Sequence, residues 1–74
     1  MIALLGGVFN GMYLDRPRMK NGTMIAIKGE STGTVIAMYR VQPGGRIADA
    51  LEYDGVEGWT LPYDEAFGIQ KVMR

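Results

Sequence analysis

Carboxylates are the residues of this chain best suited to chemistry. Glu52 and Asp54 stand two apart, which puts both on one face of an extended strand, and Asp64 and Glu65 are adjacent. Paired carboxylates are the working groups of glycoside hydrolysis, one as acid and the other as base or nucleophile. Such a reaction also needs a substrate cleft, and 74 residues arranged in short strands leave little material for one. The usual general base near neutral pH is histidine and the strongest nucleophile is cysteine; the chain contains neither. The reading is therefore that this is not an enzyme. No metal site is expected, because Asp54 and Glu57 do not have the spacing of a calcium-binding loop and the ordinary zinc ligands are missing. No cofactor is expected either. Gly6, Gly7 and Gly11 lack the lysine and hydroxyl of a phosphate-cradling loop and do not open a helix, so they are assigned to turns.

Two sets of residues remain as candidates for binding. The first is acidic and aromatic: Glu52, Tyr53, Asp54, Glu57, Trp59, Tyr63, Asp64 and Glu65 form a stretch suited to a basic protein partner. The second is basic. Arg16, Arg18 and Lys20 recur at every second position, so in an extended segment they point one way, and Pro17 between them suits an edge or an exposed loop. Tyr13, Tyr39 and Tyr53 can supply stacking faces for bases. Edge segments also carry Lys, Arg and Pro to prevent aggregation, and that plain reading stands beside the nucleic-acid one. Formal net charge is zero but unevenly spread. Residues 1–46 carry six cations against Asp15 and Glu30, and residues 47–74 carry six anions against Lys71 and Arg74. The halves balance as a solvated surface, or else they present a bipolar one.

The elements that must position these groups read as β throughout. Glycine turn signals recur at Asn10-Gly11, Asn21-Gly22, Gly29 to Gly33, Pro43-Gly44-Gly45 and Asp54-Gly55, with short apolar, β-branched runs between them. Asn10-Gly11 is a candidate type I′ hairpin, which would set Phe9 opposite Met12 and Gly7 opposite Leu14; Gly6-Gly7 offers a competing turn or bulge. Residues 23–28 and 34–41 read as strands. In the second, Val35, Ala37, Tyr39 and Val41 share one face and Ile36, Met38 and Arg40 the other. Neither face is cleanly polar, which implies a strand covered on both sides or one face used for binding. Residues 46–53 fit a helix through Ile47 and Leu51, but the flanking glycines and the surrounding period favour a strand. The tail is expected to make a short helical turn at 63–67, with Asp64 and Glu65 at its amino end and Gly68 closing it, followed by a last strand at 69–73.

Length bounds the rest. The chain reads as one domain, residues 1–74, which buries only about 60% of its unfolded surface and has no disulfide to help. Its 47% apolar content can supply a core from Phe9, Trp59, Phe67, most of the tyrosines and the methionines. Met1 to Leu5 lacks a basic leader and is followed by glycines, so a signal peptide is not expected, no membrane association is foreseen, and the cytoplasm is the expected location. The fold class is all-β: an antiparallel meander or small SH3-like barrel of five to six strands, with a homo-oligomer compatible with it.

The run Leu5-Gly6-Gly7-Val8-Phe9-Asn10-Gly11, with Pro17 beyond it, Tyr39-Arg40 in mid-chain and Glu52-Tyr53-Asp54-Gly55 later, resembles small uncharacterised proteins of phages and prophages. Those typically carry proline at the position of Val8 and aspartate at that of Asn10. The group has no assigned active site, so no functional residue carries over. The resemblance implies a mobile-element accessory protein that works by binding, inhibiting or modulating a host or defence protein. Nucleic-acid binding and a minor role in the virion or its assembly are the alternatives.

Overall fold

A computed structural model describes residues 1–30, 33–51 and 62–74. Its described residues form β1 (Ile2–Leu5), β2 (Tyr13–Leu14), β3 (Met24–Lys28), β4 (Val35–Val41), β5 (Ile47–Ala50), β6 (Glu65–Gly68) and β7 (Val72–Met73), with a 3₁₀ turn at Ile69–Lys71. All seven strands belong to one sheet in the order β6-β3-β4-β5-β1-β2-β7. The sheet curls into a nearly closed barrel, and its two terminal strands, β6 and β7, are joined directly by the 3₁₀ turn.

The all-β class follows the sequence, and the ambiguous segment around Ile47 is a strand, as the period implied. The topology is not a simple antiparallel meander. β1 pairs with β5 and β3 with β6 in parallel, while the remaining pairs are antiparallel. Seven strands replace the expected five to six because the tail contributes two. Glu65 to Phe67, expected to be helical, is extended and pairs with Ile25 to Ile27. The helical signal in this stretch was local, the dipole preference of two carboxylates, worth at most about 1 kcal/mol. Pairing with an exposed strand edge satisfies several backbone groups at once and outweighs it. Among the described residues the one helical turn lies later, at Ile69–Lys71.

Alternation places the core. Ile2 and Leu4, Leu14, Ile25 and Ile27, Ala37, Tyr39 and Val41, and Ala48 all point inward and are buried. Phe9 and Met19 come from connections at opposite ends of the barrel and fill it from either side. Each large aliphatic side chain removed from water in this way contributes roughly 2 kcal/mol. On the outer face of β3 and β4, Ala26 and Met38 are also buried, whereas Ile36 and Arg40 are exposed. The tyrosines divide. Tyr39 is core, but Tyr13 and Tyr63 stand on the surface.

The connection after β1 differs from a tight hairpin. Ile2, rather than Gly7, lies opposite Leu14, and Leu4 exchanges backbone hydrogen bonds with Met12 and Gly11. The Asn10-Gly11 turn is present, closed by the Met12 N–H donating to the Phe9 carbonyl at 3.0 Å. Gly11 has φ of +84°, but Asn10, like every other described residue that is not glycine, does not have a positive φ, so the turn has the sign pattern of type II and not of type I′. Asn10 acts through its side chain: Oδ1 accepts the Gly6 N–H at 2.7 Å. The loop is then fastened to the core by Tyr39, whose hydroxyl donates to the Gly6 carbonyl at 2.7 Å and accepts the Phe9 N–H at 3.0 Å.

Burial holds the Tyr39 phenol above its ordinary pKa of 10.0, an effect only partly offset by the hydrogen bond from the Phe9 amide. The folded state thus keeps the proton that the unfolded chain gives up first. Stability conferred by the neutral phenol is complete below pH 10.0 and is lost as pH rises through the higher folded value. Tyr39→Phe should cost about 2–3 kcal/mol in urea unfolding near neutral pH, since it strands the Phe9 amide and the Gly6 carbonyl. It should also flatten the alkaline fall in stability; an equally steep fall in the variant would place its origin elsewhere.

Gly45 is required for a different reason. It is buried with φ of +74°, and a Cβ there would meet the Met19 carbonyl oxygen and lie 2.6 Å from Arg18 Cγ. Gly44 has φ of +99° with open space around it. Gly44→Ala should therefore cost only the left-handed backbone penalty, about 1–2 kcal/mol, and Gly45→Ala about 2 kcal/mol more from the clash. Urea midpoints of the two variants, measured side by side, test this; equal losses would mean that the 18–20 segment does not pack on the β4–β5 turn.

Candidate protein-binding surface

The binding residues expected from the sequence are only partly brought together. Glu52, Tyr53, Asp54, Glu57 and Trp59 lie outside the described residues. Tyr63, Asp64 and Glu65 are described, and each has a partner within the fold. The Tyr63 ring carries the Lys28 ammonium 5.4 Å from its centroid. Asp64 Oδ2 accepts the Met24 N–H at 2.8 Å while the Asp64 N–H donates to the Met24 carbonyl at 2.9 Å, which fastens the start of β6 to the start of β3. Glu65 Oε1 lies 3.2 Å from Arg16 Nη1.

That last contact changes the meaning of the basic segment. Arg16, Arg18 and Lys20 do not line one face of a strand, because residues 16–20 follow β2 as an irregular connection. The Arg16 guanidinium turns to the seam between the sheet ends, pairs with Glu65 and lies 5.3 Å from the centroid of the Phe67 ring. With the two side chains 40% and 42% exposed, the ion pair itself contributes at most about 1 kcal/mol. Arg18 and Lys20 remain exposed on either side of the buried Met19. Among the described residues no group of three or more His, Cys, Asp or Glu side chains is placed to hold a metal. No described helix is long and apolar enough to cross a membrane.

An exposed apolar row, which no sequence motif announced, emerges from the strand register. Residues directly opposite one another on neighbouring strands share a face. Met73 on β7 lies opposite Tyr13 on β2, Tyr13 opposite Ala3 on β1, and Ala3 opposite Ile47 on β5. All four point outward, so the row runs across four strands. Tyr13, Ile47 and Met73 are 42%, 43% and 37% exposed. Leu5, two residues along β1 on the same face, is exposed as well, and Val8 on the adjoining loop is more so. Single exposed apolar side chains are ordinary, but a continuous row is the kind of patch that marks an interaction site. Among the described residues, those next to it in register or sequence include Arg40, Arg46, Lys71 and Arg74 against Asp15 and Asp49, a predominance of cations. Period-two alternation in residues 2–5 and 47–50, read together with their pairing, was the only signal that could have found the row.

No family model, curated protein or solved structure matches the chain.

The two acidic residues that hold β6 can be separated from any binding role by stability alone. Asp64→Ala removes a charge-assisted bond to the Met24 amide and should lower unfolding stability by about 1–2 kcal/mol, with Asp64→Asn recovering most of it. Arg16→Gln should cost less than about 1 kcal/mol, and that loss should shrink when Glu65 is already Gln. Thermal and urea unfolding of these variants, with Glu65→Gln and the Arg16→Gln/Glu65→Gln double variant, measure both effects.

Proposed function

We propose that this protein is a non-catalytic binding domain whose outer apolar row docks on a partner protein. The observation that carries the reading is the continuity of Met73, Tyr13, Ala3 and Ile47 across four paired strands, with Leu5 beside them. Large aromatic and flexible apolar side chains are the usual centre of a protein interface, with charged groups at the rim. The cationic frame favours a partner surface that is apolar at its centre and acidic at its edge. The resemblance to phage and prophage proteins suggests the kind of partner: a host or defence protein, in the cytoplasm, inhibited or modulated by stoichiometric binding. The acidic stretch first considered for this role is a weaker choice, since Asp64 and Glu65 are engaged within the fold.

The test uses a bacterial partner recovered with the tagged protein and then purified. A complex of fixed stoichiometry in light scattering should be weakened at least about tenfold by Tyr13→Glu combined with Ile47→Glu, since two interface anchors are each worth over 1 kcal/mol. Circular dichroism should be unchanged and melting only modestly lowered, since both positions are partly exposed on paired strands. A complex undiminished in the double variant would overturn the assignment. So would a defined homo-oligomer of the protein alone that the same two substitutions dissolve, because the row would then serve self-assembly.

A further inference from the structure

We propose that the end of the barrel opposite the Tyr39-fastened loop is a second binding surface, one that takes the phosphate backbone of a nucleic acid. Strand directions decide which connections meet there. β1 and β5 begin at this end because Ala3 pairs in parallel with Ile47, and β2 ends there because Leu14 lies opposite Ile2. β7 begins there because Val72 lies opposite Leu14. β4 ends there and β3 begins there, since Val41 lies opposite Ala48 and Met24 opposite Arg40.

The cations of three separate connections are thereby gathered. Arg18 and Lys20 come from the segment between β2 and β3, Arg46 from the turn between β4 and β5, and Lys71 from the 3₁₀ turn before β7. The connections touch. The Met19 N–H donates to the Gly45 carbonyl at 3.1 Å, and the Arg18 stem lies over Gly45 where a side chain would otherwise sit. The Asp15 N–H donates to the Lys71 carbonyl at 2.8 Å, and the Ala3 N–H to the Arg46 carbonyl at 2.8 Å. Arg18, Lys20, Arg46 and Lys71 are all exposed, and none has an ion-pair partner among the described residues.

The anions of the same end are fewer and mostly committed. Glu65 pairs with Arg16, Asp64 bonds the Met24 amide, and Asp15 is exposed. Among the described residues, the side chains of this end, Arg16, Arg18, Lys20, Arg46 and Lys71 against Asp15, Asp64 and Glu65, carry an excess of two positive charges. Because these four cations, without an ion-pair partner among the described residues, stand on three separate connections and not on one helix face, they are spread as a polyanion needs them, each able to neutralise a different phosphate. Among the described residues nothing at this end offers the buried polar groups that would read a base edge, so the binding is non-specific in sequence. The surface differs from the expected Arg16, Arg18 and Lys20 set in that Arg16 is withdrawn and Arg46 and Lys71 replace it.

Fluorescence anisotropy with a short labelled single strand of RNA tests this on the full chain. Four phosphate contacts to a single strand predict roughly 50-fold weaker binding between about 50 and 200 mM salt. Arg18→Gln, Lys20→Gln and Arg46→Gln together should weaken low-salt binding and reduce that salt effect to about threefold, with melting unchanged. Absence of binding at low salt, or an undiminished salt dependence in the folded triple variant, would overturn the proposal. Inorganic polyphosphate of matched charge should displace the RNA, as contacts to phosphate alone require, and failure to displace it would overturn the assignment to backbone phosphates. The charge-neutral pair Tyr13→Ser with Ile47→Ser should leave the anisotropy signal unchanged, which separates this surface from the apolar row.

Discussion

The arrangement depends on a phenol. Tyr39 sits in the middle of the longest strand, fully buried, with neighbours β3 on one side and β5 on the other. Its ring contributes bulk to a core built mainly from aliphatic side chains with Phe9 and Met19, and its hydroxyl reaches the first connection, where one oxygen serves as donor to Gly6 and acceptor from Phe9. Few side chains can do both at one point; a carboxylate or ammonium there would carry a charge into the barrel at a cost of several kcal/mol. Once the loop is held, Phe9 is placed over the barrel mouth and the chain re-enters as β2 with Leu14 beside Ile2. Gly7 completes the fit, since any side chain at that position would lie within 3.0 Å of Ala50 and 3.2 Å of the Tyr39 hydroxyl. A loop that looked like a turn motif is thus as much a part of the core as the strands.

Strand interiors were legible in the sequence because alternation is a local property. Residues 23–28 and 34–41 read as strands and are found within a residue of those limits, as Met24–Lys28 and Val35–Val41, and the Ile47 segment resolved correctly against its helical pattern. What escaped was non-local. A glycine-rich turn signal says that the chain bends, not which strands then meet, so the two parallel pairings left no mark in the residues that form them. Asn10-Gly11 is compatible with more than one turn type, and the choice was decided by the bonds to Tyr39 and Leu4 at a distance. The stretch Glu65 to Phe67 shows the same limit. Its carboxylates favour a helix start when considered alone, and a free edge of β3 made it a strand.

The candidate surfaces were legible to a lesser degree still. Tyr13, Ile47 and Met73 are separated by tens of positions in the chain and share a row only through register. Arg16 carries the same charge as Arg18, yet its place immediately beyond β2 directs it inward to Glu65 and Phe67, where it lends its guanidinium to closing the sheet. Nothing in the composition of residues 15–20 distinguishes the two arginines. The distinction lies in how far each is from the last paired residue of β2.

Charge makes the same argument at the scale of the molecule. Divided by sequence, the chain has a basic first half and an acidic second half, a division that suggests two poles. The barrel does not preserve it. Parallel pairing of β1 with β5 brings Arg46 to the end where the chain leaves β2, and the 3₁₀ turn brings Lys71 from the acidic half to the same place. Asp64 and Glu65 also arrive there, but as structural groups, with their charge directed at a backbone amide and at Arg16. A neutral protein can therefore carry a basic end that extends beyond its one basic segment, because fold topology determines which charges become neighbours and internal pairing determines which of them remain available. The outer apolar row arises by the same logic, from strands whose inward residues leave no choice about what faces out: with Ile2, Leu4, Leu14 and Ala48 committed to the core, Ala3, Leu5, Tyr13 and Ile47 must stand together in solvent.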